Sequence, residues 1–410
     1  LLQRGLHLRG ALRASSFVLR SRNANPLGSQ LMTALPRVAV ALVASLMWSA
    51  CGGERPAADH AGISEDVNRV AVVFAESPRF SLGGIDVVGP TQFSGIISIE
   101  VSGDGSVWVI DGPTQELRVF SSEGAHRFSL GGQGDGPGEF RGLNFVGSES
   151  DGTIVAVDPT LRRVTTYSAS GRLTGTVRWN TTRLLRPIGV TTRNELVAIT
   201  EPGFPASRTG GVYSDTIRVL AWDEPDGVAD TIARVPGFKW LVTPTSGSIL
   251  PFTRTQAFAV GAEIYASFGP EVEIHVLGAD GLERRLSVDR APTPVASIRS
   301  DYLAELRDKR SAEQVKAAEE RLEHPEVPEY IGAYSELVVA STGHLWAERN
   351  TYDPDLRGVW DVFDPDGRLL GQARPPSGFS IYSIDGNLVT GVASDDFGVP
   401  YLQQWEITWL

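Results

Sequence analysis

Five carboxylates stand at or near the ends of apolar runs in the sequence, and their recurrence points to shared chemistry. They are Asp111, Asp158, Glu201, Glu348 and Asp395. If the apolar runs are equivalent strands of repeated sheets, these side chains project onto one face of the molecule. Carboxylate oxygens suit Ca²⁺ or Mg²⁺, so Asp111, Asp158 and Asp395 are candidate metal ligands at an acidic mouth. The alternative is that these acids cap turns and face water, as Asp usually does.

The same face would carry aromatic and cationic side chains. Two long connections, at about 201–215 and 349–358, are expected there, and the side chains they would add around the acids are Phe204, Arg208, Tyr213, Tyr352 and Trp360. The candidate binding residues are therefore Asp111, Asp158, Glu201, Tyr352 and Asp395. An acidic mouth of this kind would suit a divalent cation or a basic partner.

Other reactive residue types lack catalytic spacing. The six His residues form no His-x-His or His-x-x-x-His pair of the kind that binds zinc, and no Gly-x-Ser-x-Gly motif is present. The Gly-rich run at 132–136 has the composition of a phosphate loop, but Pro-Gly-Glu-Phe and an apolar run follow it instead of a helix N-terminus. We interpret it as a connection between two sheets, and we predict no catalytic residue.

Repetition in the sequence predicts the elements that position these side chains. The stretches Ser106–Gly124 and Thr153–Gly171 each contain an apolar run ending in Asp, a loop, a second short run and a turn ending in Gly. The two copies lie about 47 residues apart in register, which is typical of a repeated four-stranded unit. Asp-Gly pairs before apolar runs add tight hairpins. The pattern predicts an all-β fold, a six-bladed β-propeller.

The expected units lie at about 94–135, 141–180, 186–237, 253–295, 331–375 and 379–410. A count of five or seven blades is also compatible with the sequence, because the third and fourth units diverge from the pattern. The last unit is one strand short. Val70–Phe74 or Arg79–Leu82 is expected to supply that strand, which would join the two ends of the ring and remove an exposed sheet edge.

One stretch, Ser297–His324, has helical rather than β periodicity. Ser311 and Gln314 have the spacing of a capping box that begins a second helix, and Pro325 lies beyond its end. The stretch is therefore a small inserted helical hairpin between the fourth and fifth blades, at about 297–324. It would serve as a lid or partner-docking element, or it would cover the outer side of a blade.

The N-terminal part of the chain has the pattern of an export signal. From Met32 a positive residue, Arg37, precedes a short apolar run and then Trp48-Ser-Ala-Cys51. The run has the length of a signal peptide core and is too short to span a bilayer. Cys51 would be lipidated as in a bacterial lipobox, although Trp48 stands where an aliphatic residue is usual. Gly52 after the Cys favours the outer membrane.

Alternatives exist for this region. The Arg-rich residues 1–31 have the composition of a transit peptide, but a complete signal from Met32 favours an upstream extension. Cys51 is the single cysteine of the sequence and would otherwise be a chance thiol. The expected organisation is an extension plus signal peptide at 1–51, a flexible tether at 52–67 and the propeller at 68–410.

The charge of the chain limits its partners. The sequence has a formal net charge of −12, and without the six Arg residues of 1–51 it falls to about −18. A body this acidic repels nucleic acid and anionic lipid headgroups. Basic proteins, cations and neutral ligands are the expected partners, unless the acidity serves solubility alone.

The run Gly131-Gly-Gln-Gly-Asp-Gly-Pro-Gly-Glu-Phe140, with the repeated Asp-to-Gly pattern, resembles the six-bladed β-propeller lipoproteins of environmental bacteria, which are related to NHL-repeat propellers. The resemblance covers residues 68–410. It implies a fold and a cell-envelope location more than a reaction, because most members of that family have no assigned activity.

Two functions follow as hypotheses. The first is a non-catalytic binding module that recognises an envelope protein, a peptide or a glycan, attached to the membrane through its lipid anchor only, with no nucleic acid and no obligatory cofactor. The second is an enzyme, a divalent-metal-dependent hydrolase such as a lactonase, or a lyase, in which the acidic mouth holds Ca²⁺ or Mg²⁺. We favour the binding module, because no nucleophile or metal triad is recognisable in the sequence.

Overall fold

The fold is seen in a computed structural model. It describes residues 69–181, 184–201, 203, 210–243, 246–253, 256–278, 281–353 and 355–410. The predicted signal peptide, Cys51, the tether, Phe204 and Arg208 lie outside the described residues.

Two short strands come first, β1 (Val70–Phe74) and β2 (Phe80–Gly83). Six groups of strands follow in chain order, each forming one blade. The first three are β3–β6 (Ile96–Val101, Val107–Asp111, Glu116–Phe120, His126–Gly131), β7–β10 (Phe145–Ser148, Ile154–Asp158, Arg163–Tyr167, Leu173–Arg178) and β11–β15 (Leu185–Val190, Leu196–Thr200, Gly211–Trp222, Asp230–Val242, Gly247–Ile249). The last three are β16–β19 (Ala257–Val260, Ile264–Ser267, Glu273–Gly278, Gly281–Ser287), β20–β23 (Tyr334–Val339, Leu345–Arg349, Trp360–Phe363, Leu369–Ala373) and β24–β26 (Phe379–Asp385, Leu388–Ser394, Pro400–Trp409).

The ring closes with strands from both ends of the described chain. Strand β26 pairs antiparallel with β2, with Phe80 opposite Gln404, so β2 is the outer strand of blade six. Further along, β26 also pairs with β1, and β1 pairs in parallel with β23 of blade five. Both stretches proposed from the sequence therefore take part in closure, which protects an otherwise open sheet edge.

Consecutive blades pack through apolar side chains that point in opposite directions from one strand. In β4, Val107 and Val109 join the cluster shared with blade six, while Trp108 and Ile110 join the cluster shared with blade two. Six such clusters occupy the six interfaces of the ring. Because both faces of a blade are covered, its second strand is a continuous apolar run, as in β4, β8 and β12.

The two rims of the ring differ in their connections. At one rim, the turn face, tight turns join first to second and third to fourth strands. Gly105 and Gly152 there have φ of 78° and 85°, a conformation that favours glycine. At the other rim, the loop face, second strands end, and longer loops lead into the next blade. The Gly-rich run is one of these loops, between β6 and β7, as predicted.

The predicted helical hairpin is present between blades four and five as α1 (Val295–Lys309) and α2 (Ala312–Leu322). Ser311 and Gln314 form the expected capping box at the start of α2. Neither helix, nor any other helix in the described part of the chain, is long and apolar enough to cross a membrane.

Candidate functional site

The carboxylate of Asp111 is buried and binds the backbone of its own blade. Its side chain is fully inaccessible, and Oδ1 accepts hydrogen bonds from the backbone N–H groups of Ser94 (3.1 Å) and Gly95 (2.9 Å), just before β3. Oδ2 lies 2.8 Å from Nη2 of Arg118. The carboxylate therefore fixes the loop that leads into the blade.

Asp158 repeats this arrangement in blade two. It is equally inaccessible, and Oδ2 accepts hydrogen bonds from the backbone N–H groups of Arg141 (2.7 Å) and Gly142 (3.1 Å), just before β7. Oδ1 accepts a third from the N–H of Leu161 at 2.8 Å. The regular spacing of these acids thus reflects a repeated backbone contact. The sequence offered two alternatives for these acids, an acidic mouth that binds a ligand or caps of turns that face water. The hydrogen bonds of Asp111 and Asp158 are those of caps, although both carboxylates are buried and do not face water.

Blade five uses the same position with the charges exchanged. Arg349 stands opposite Tyr334 in register, as Asp111 stands opposite Ile96. Its Nε and Nη2 donate to Oδ1 of the buried Asp361 at 2.9 and 2.7 Å. Arg290 and the Tyr334 hydroxyl donate to Oδ2 at 2.7 and 2.9 Å. This buried network ties the connection that precedes α1 to blade five.

The remaining predicted acids occupy separate places. Glu201 lies 3.2 Å from Arg186, which lines the centre of the ring. Oδ1 of Asp395 accepts from the N–H groups of Phe397 and Val399 within the turn between β25 and β26. Glu348 accepts from the Ser335 hydroxyl at 2.8 Å. No group of three or more His, Cys, Asp or Glu side chains in the described residues is arranged to hold a metal ion, so Asp111, Asp158 and Asp395 do not form a joint metal site there.

Tyr352 belongs to an aromatic cluster under the helical hairpin. Its ring lies 5.7 Å from that of Tyr302 in α1 and 6.0 Å from that of Phe252. Burial, with Tyr302 next, raises the pKa of Tyr352 to about 12. Glu305 of α1 also pairs with Arg357 at 3.3 Å. The hairpin therefore contacts loops of the loop face, and its Tyr302 ring also lies 4.9 Å from that of Phe252, which follows the outermost strand of blade three.

The described strands surround a channel along the axis of the ring. It has a volume of about 770 Å³ and is lined by the first strand of every blade: β3, β7, β11, β16, β20 and β24. Each of these strands lies at the free edge of its sheet, so the wall presents backbone N–H and C=O groups as well as side chains. The charged lining residues are Glu100, Glu149, Arg186, Glu336 and Asp385.

Two of the channel carboxyls have pKa values raised to about 7. Displacement of water by the surrounding wall, helped by the nearby Glu348 carboxylate, raises the pKa of Glu336 to about 7. The same desolvation raises the pKa of Glu100 to about 7, although hydrogen bonds from Ser148 act in the opposite direction. Both groups can therefore change charge near neutral pH, and Tyr382 lies close enough to Glu336 to have its own pKa raised by burial and by that carboxylate.

These channel residues are absent from the site residues predicted from the sequence. A signal was present: Glu100 and Glu336 are acids within the first strand of a blade, in Ile96–Val101 and Tyr334–Val339. Both strands also contain a bulge, between Ile96 and Ser98 and between Tyr334 and Glu336. An acid within the first strand of a blade is a better pointer to the channel than an acid at the end of the second.

Six blades around a channel, closed by strands from both ends of the described chain, define the class: the chain is a six-bladed β-propeller. Residues 91–184 match the model of a family described as 6-bladed beta-propeller. The predicted fold and the resemblance to six-bladed propellers are thereby confirmed, while the lipoprotein part of that resemblance stays a prediction. No curated protein matches the sequence significantly.

Solved structures with a similar chain trace include bacterial proteins. A member of the duf4221 family from Bacteroides vulgatus has 10% identity and a TM-score of 0.47, covering 83% of this chain and 99% of its own. A putative exported protein from Bacteroides fragilis has 13% identity and a TM-score of 0.46, with 85% and 98% covered. A gluconolactonase from Xanthomonas campestris has 12% identity and a TM-score of 0.42, with 77% and 87% covered.

Proposed function

We propose that this propeller is a non-catalytic binding protein of the bacterial cell envelope, which holds a polar ligand in its central channel. The observation that carries the proposal is the channel itself, about 770 Å³ in volume and lined by the free edges of all six inner strands. The signal-like run before Cys51 supports the envelope location, and a lipid at Cys51 would attach the propeller to the outer membrane, facing the periplasm or the exterior.

The chemistry of the wall defines the ligand. Backbone donors and acceptors match a ligand rich in amide or hydroxyl groups, and the carboxylates outnumber the single arginine of the lining. Anionic ligands, including nucleic acid, would be repelled by this wall. A neutral or cationic peptide segment, or a glycan, presented by an envelope component fits best.

Affinity capture from an envelope extract tests this function. The tagged full chain is compared with Glu336→Arg, which reverses a charge in the channel, and with Glu123→Arg, which makes the same change on an exposed turn. We expect the wild type and Glu123→Arg to retain one shared envelope component and Glu336→Arg to lose it. Equal capture by all three proteins would contradict a channel site.

An enzyme is the second candidate, and Glu336 is the observation that favours it. A carboxyl with a pKa of about 7 is present in both protonation states at neutral pH, as general acid–base catalysis requires. Mass spectrometry of the captured component after incubation with wild type and with Glu336→Gln separates the two functions. Cleavage or elimination products that appear with wild type alone would favour a hydrolase or lyase.

A further inference from the structure

The interface between blades two and three lacks an aromatic ring that the preceding interface contains. Between blades one and two, Phe128 of β6 stands opposite Val119. Its ring lies 5.7 Å from that of Trp108 and touches the turn at Gly171. This ring closes the apolar core of the interface on the side of the outer strand.

The register of the sheets identifies the equivalent residue in blade two. Phe120 and Tyr167 occupy the same position in the third strands of blades one and two. Phe120 pairs with His126, and Tyr167 pairs with Leu173. In both blades a β-bulge separates this residue pair from the next one. The next paired position is Val119 with Phe128 in blade one, and Thr166 with Gly175 in blade two. Glycine therefore stands where a phenylalanine fills the preceding interface.

A cavity of about 160 Å³ lies at this place. Besides Gly175, its apolar lining consists of Val155, Val164, Val177, Val190, Leu196, Trp222 and Pro225. An engineered cavity of about 150 Å³ that is lined by Leu, Ile and Phe stays free of water and binds benzene. Size and lining thus match one aromatic ring.

The polar part of the lining comes from the turn face. Glu149 follows β7, Asn194 lies in the turn between β11 and β12, and Asp223 follows β13. Burial, and then the charge of Asp151, raises the pKa of Glu149. A cation at this mouth would offset the cost of holding that carboxylate charged, whereas an anion would add to it.

We propose that this cavity binds a small aromatic molecule with a cationic group, the ring occupying the space of the missing phenylalanine side chain and the cation lying beside Glu149. The site is distinct from the channel, although Glu149 and Val190 line both. It does not depend on the channel ligand.

Calorimetric titration of the full chain with phenethylamine tests the proposal, with 3-phenylpropionate as the anionic comparison. The blocked variant is Gly175→Phe with Thr166→Val. It recreates the Val–Phe pair found in blade one. Leu173→Phe, which adds a ring to an exposed position of the same strand, is the control.

We expect wild type and Leu173→Phe to bind phenethylamine equally. The blocked variant should bind phenethylamine at least about tenfold more weakly than wild type does, a difference of about 1.4 kcal/mol. Wild type should bind 3-phenylpropionate at least about tenfold more weakly than it binds phenethylamine. If the double variant fails to fold, Val177→Phe, on the half-buried part of β10, replaces it. Three results would overturn the proposal: no heat when wild type is titrated with phenethylamine, an unchanged affinity for phenethylamine in the blocked variant, or equal binding of 3-phenylpropionate and phenethylamine to wild type.

Discussion

At the scale of single residues, the carboxylates of Asp111 and Asp158 stabilise the entry of the chain into blades one and two. Each accepts at least two backbone N–H groups that precede a first strand. Buried N–H groups without a partner are costly, because they lose their hydrogen bonds to water. These aspartates therefore stabilise the fold, while Glu100 and Glu336 line the channel, where a ligand would bind under the proposed function.

Replacement of Asp158 by Ala should lower the free energy of unfolding by about 2–4 kcal/mol, since three backbone donors lose a charged acceptor. Urea denaturation measures the change. Asp151→Ala, which removes an exposed acceptor of the Thr153 N–H, should cost under about 1 kcal/mol. An Asp158→Ala protein as stable as this control would show that the carboxylate is not a structural cap.

The raised pKa of Glu336 predicts a dependence of stability on pH. Below about pH 4.5 this carboxyl is protonated in both the folded and the unfolded chain, and it contributes nothing. Between about pH 4.5 and 7 the unfolded chain releases the proton first, so the folded state loses stability as pH rises, and above about 7 the loss is complete.

Urea midpoints measured from pH 5 to 8 test this sign. Wild type should lose stability relative to Glu336→Gln across the window, because Gln carries no titrating proton. Glu123→Gln serves as the control, since hydrogen bonds from Ser122 and Ser121 lower the pKa of that exposed carboxyl and move its titration below the window. Parallel curves for wild type and Glu336→Gln would contradict the assigned desolvation.

At the scale of elements, β2 holds the ring closed. Phe80 of β2 is 9% exposed and belongs to the core between blades six and one. Its ring contacts the turn at Gly124, where an added Cβ would stand 2.9 Å from Phe80 Cγ. The closing strand is thus fixed by side-chain packing as well as by its pairing with β26.

Phe80→Ala should lower the free energy of unfolding by about 3–5 kcal/mol, because a buried aromatic ring leaves a cavity. Ser81→Ala, on the exposed side of the same strand, should change it by about 0.5 kcal/mol or less. Chemical denaturation of both variants measures these changes. If β1 alone closes the ring, Phe80→Ala should be no less stable than Ser81→Ala.

The N-terminal segment predicts a covalent anchor. Cells fed an alkyne-bearing palmitate should label the wild-type chain, and Cys51→Ala should abolish the label, because the thiol is the acceptor of the lipid. Ser45→Ala, within the apolar run, should retain it. A label that persists in Cys51→Ala would rule out lipidation at this residue.

At the scale of the whole molecule, the sequence predicts the ring but not its interior. The spacing from Asp111 to Gly124, repeated from Asp158 to Gly171, follows from strand lengths and turn residues, which are local properties. The six units and the helical hairpin were therefore predictable. Closure was predictable as well, because blade six lacked a strand of its own.

The channel was not predictable in the same way. Glu336 reaches its environment only when β20 meets strands of the other blades around the axis, and its neighbour Tyr382 lies 46 positions further along the chain. Acids at strand ends suggest a common mouth because their spacing repeats. A residue that repeats from blade to blade can have a structural role within each blade. Here Asp111 and Asp158 each bind the backbone of their own blade.

The proposed ligand site is the channel and not the loop-face residues first suggested by the sequence. Photo-crosslinking in living cells tests this location, with p-benzoylphenylalanine placed in the full chain at Tyr382, in the channel wall, or at Tyr352, on the loop face. A ligand in the channel should give one discrete adduct from position 382 after irradiation and none from position 352. An adduct from position 352 with none from 382 would contradict it.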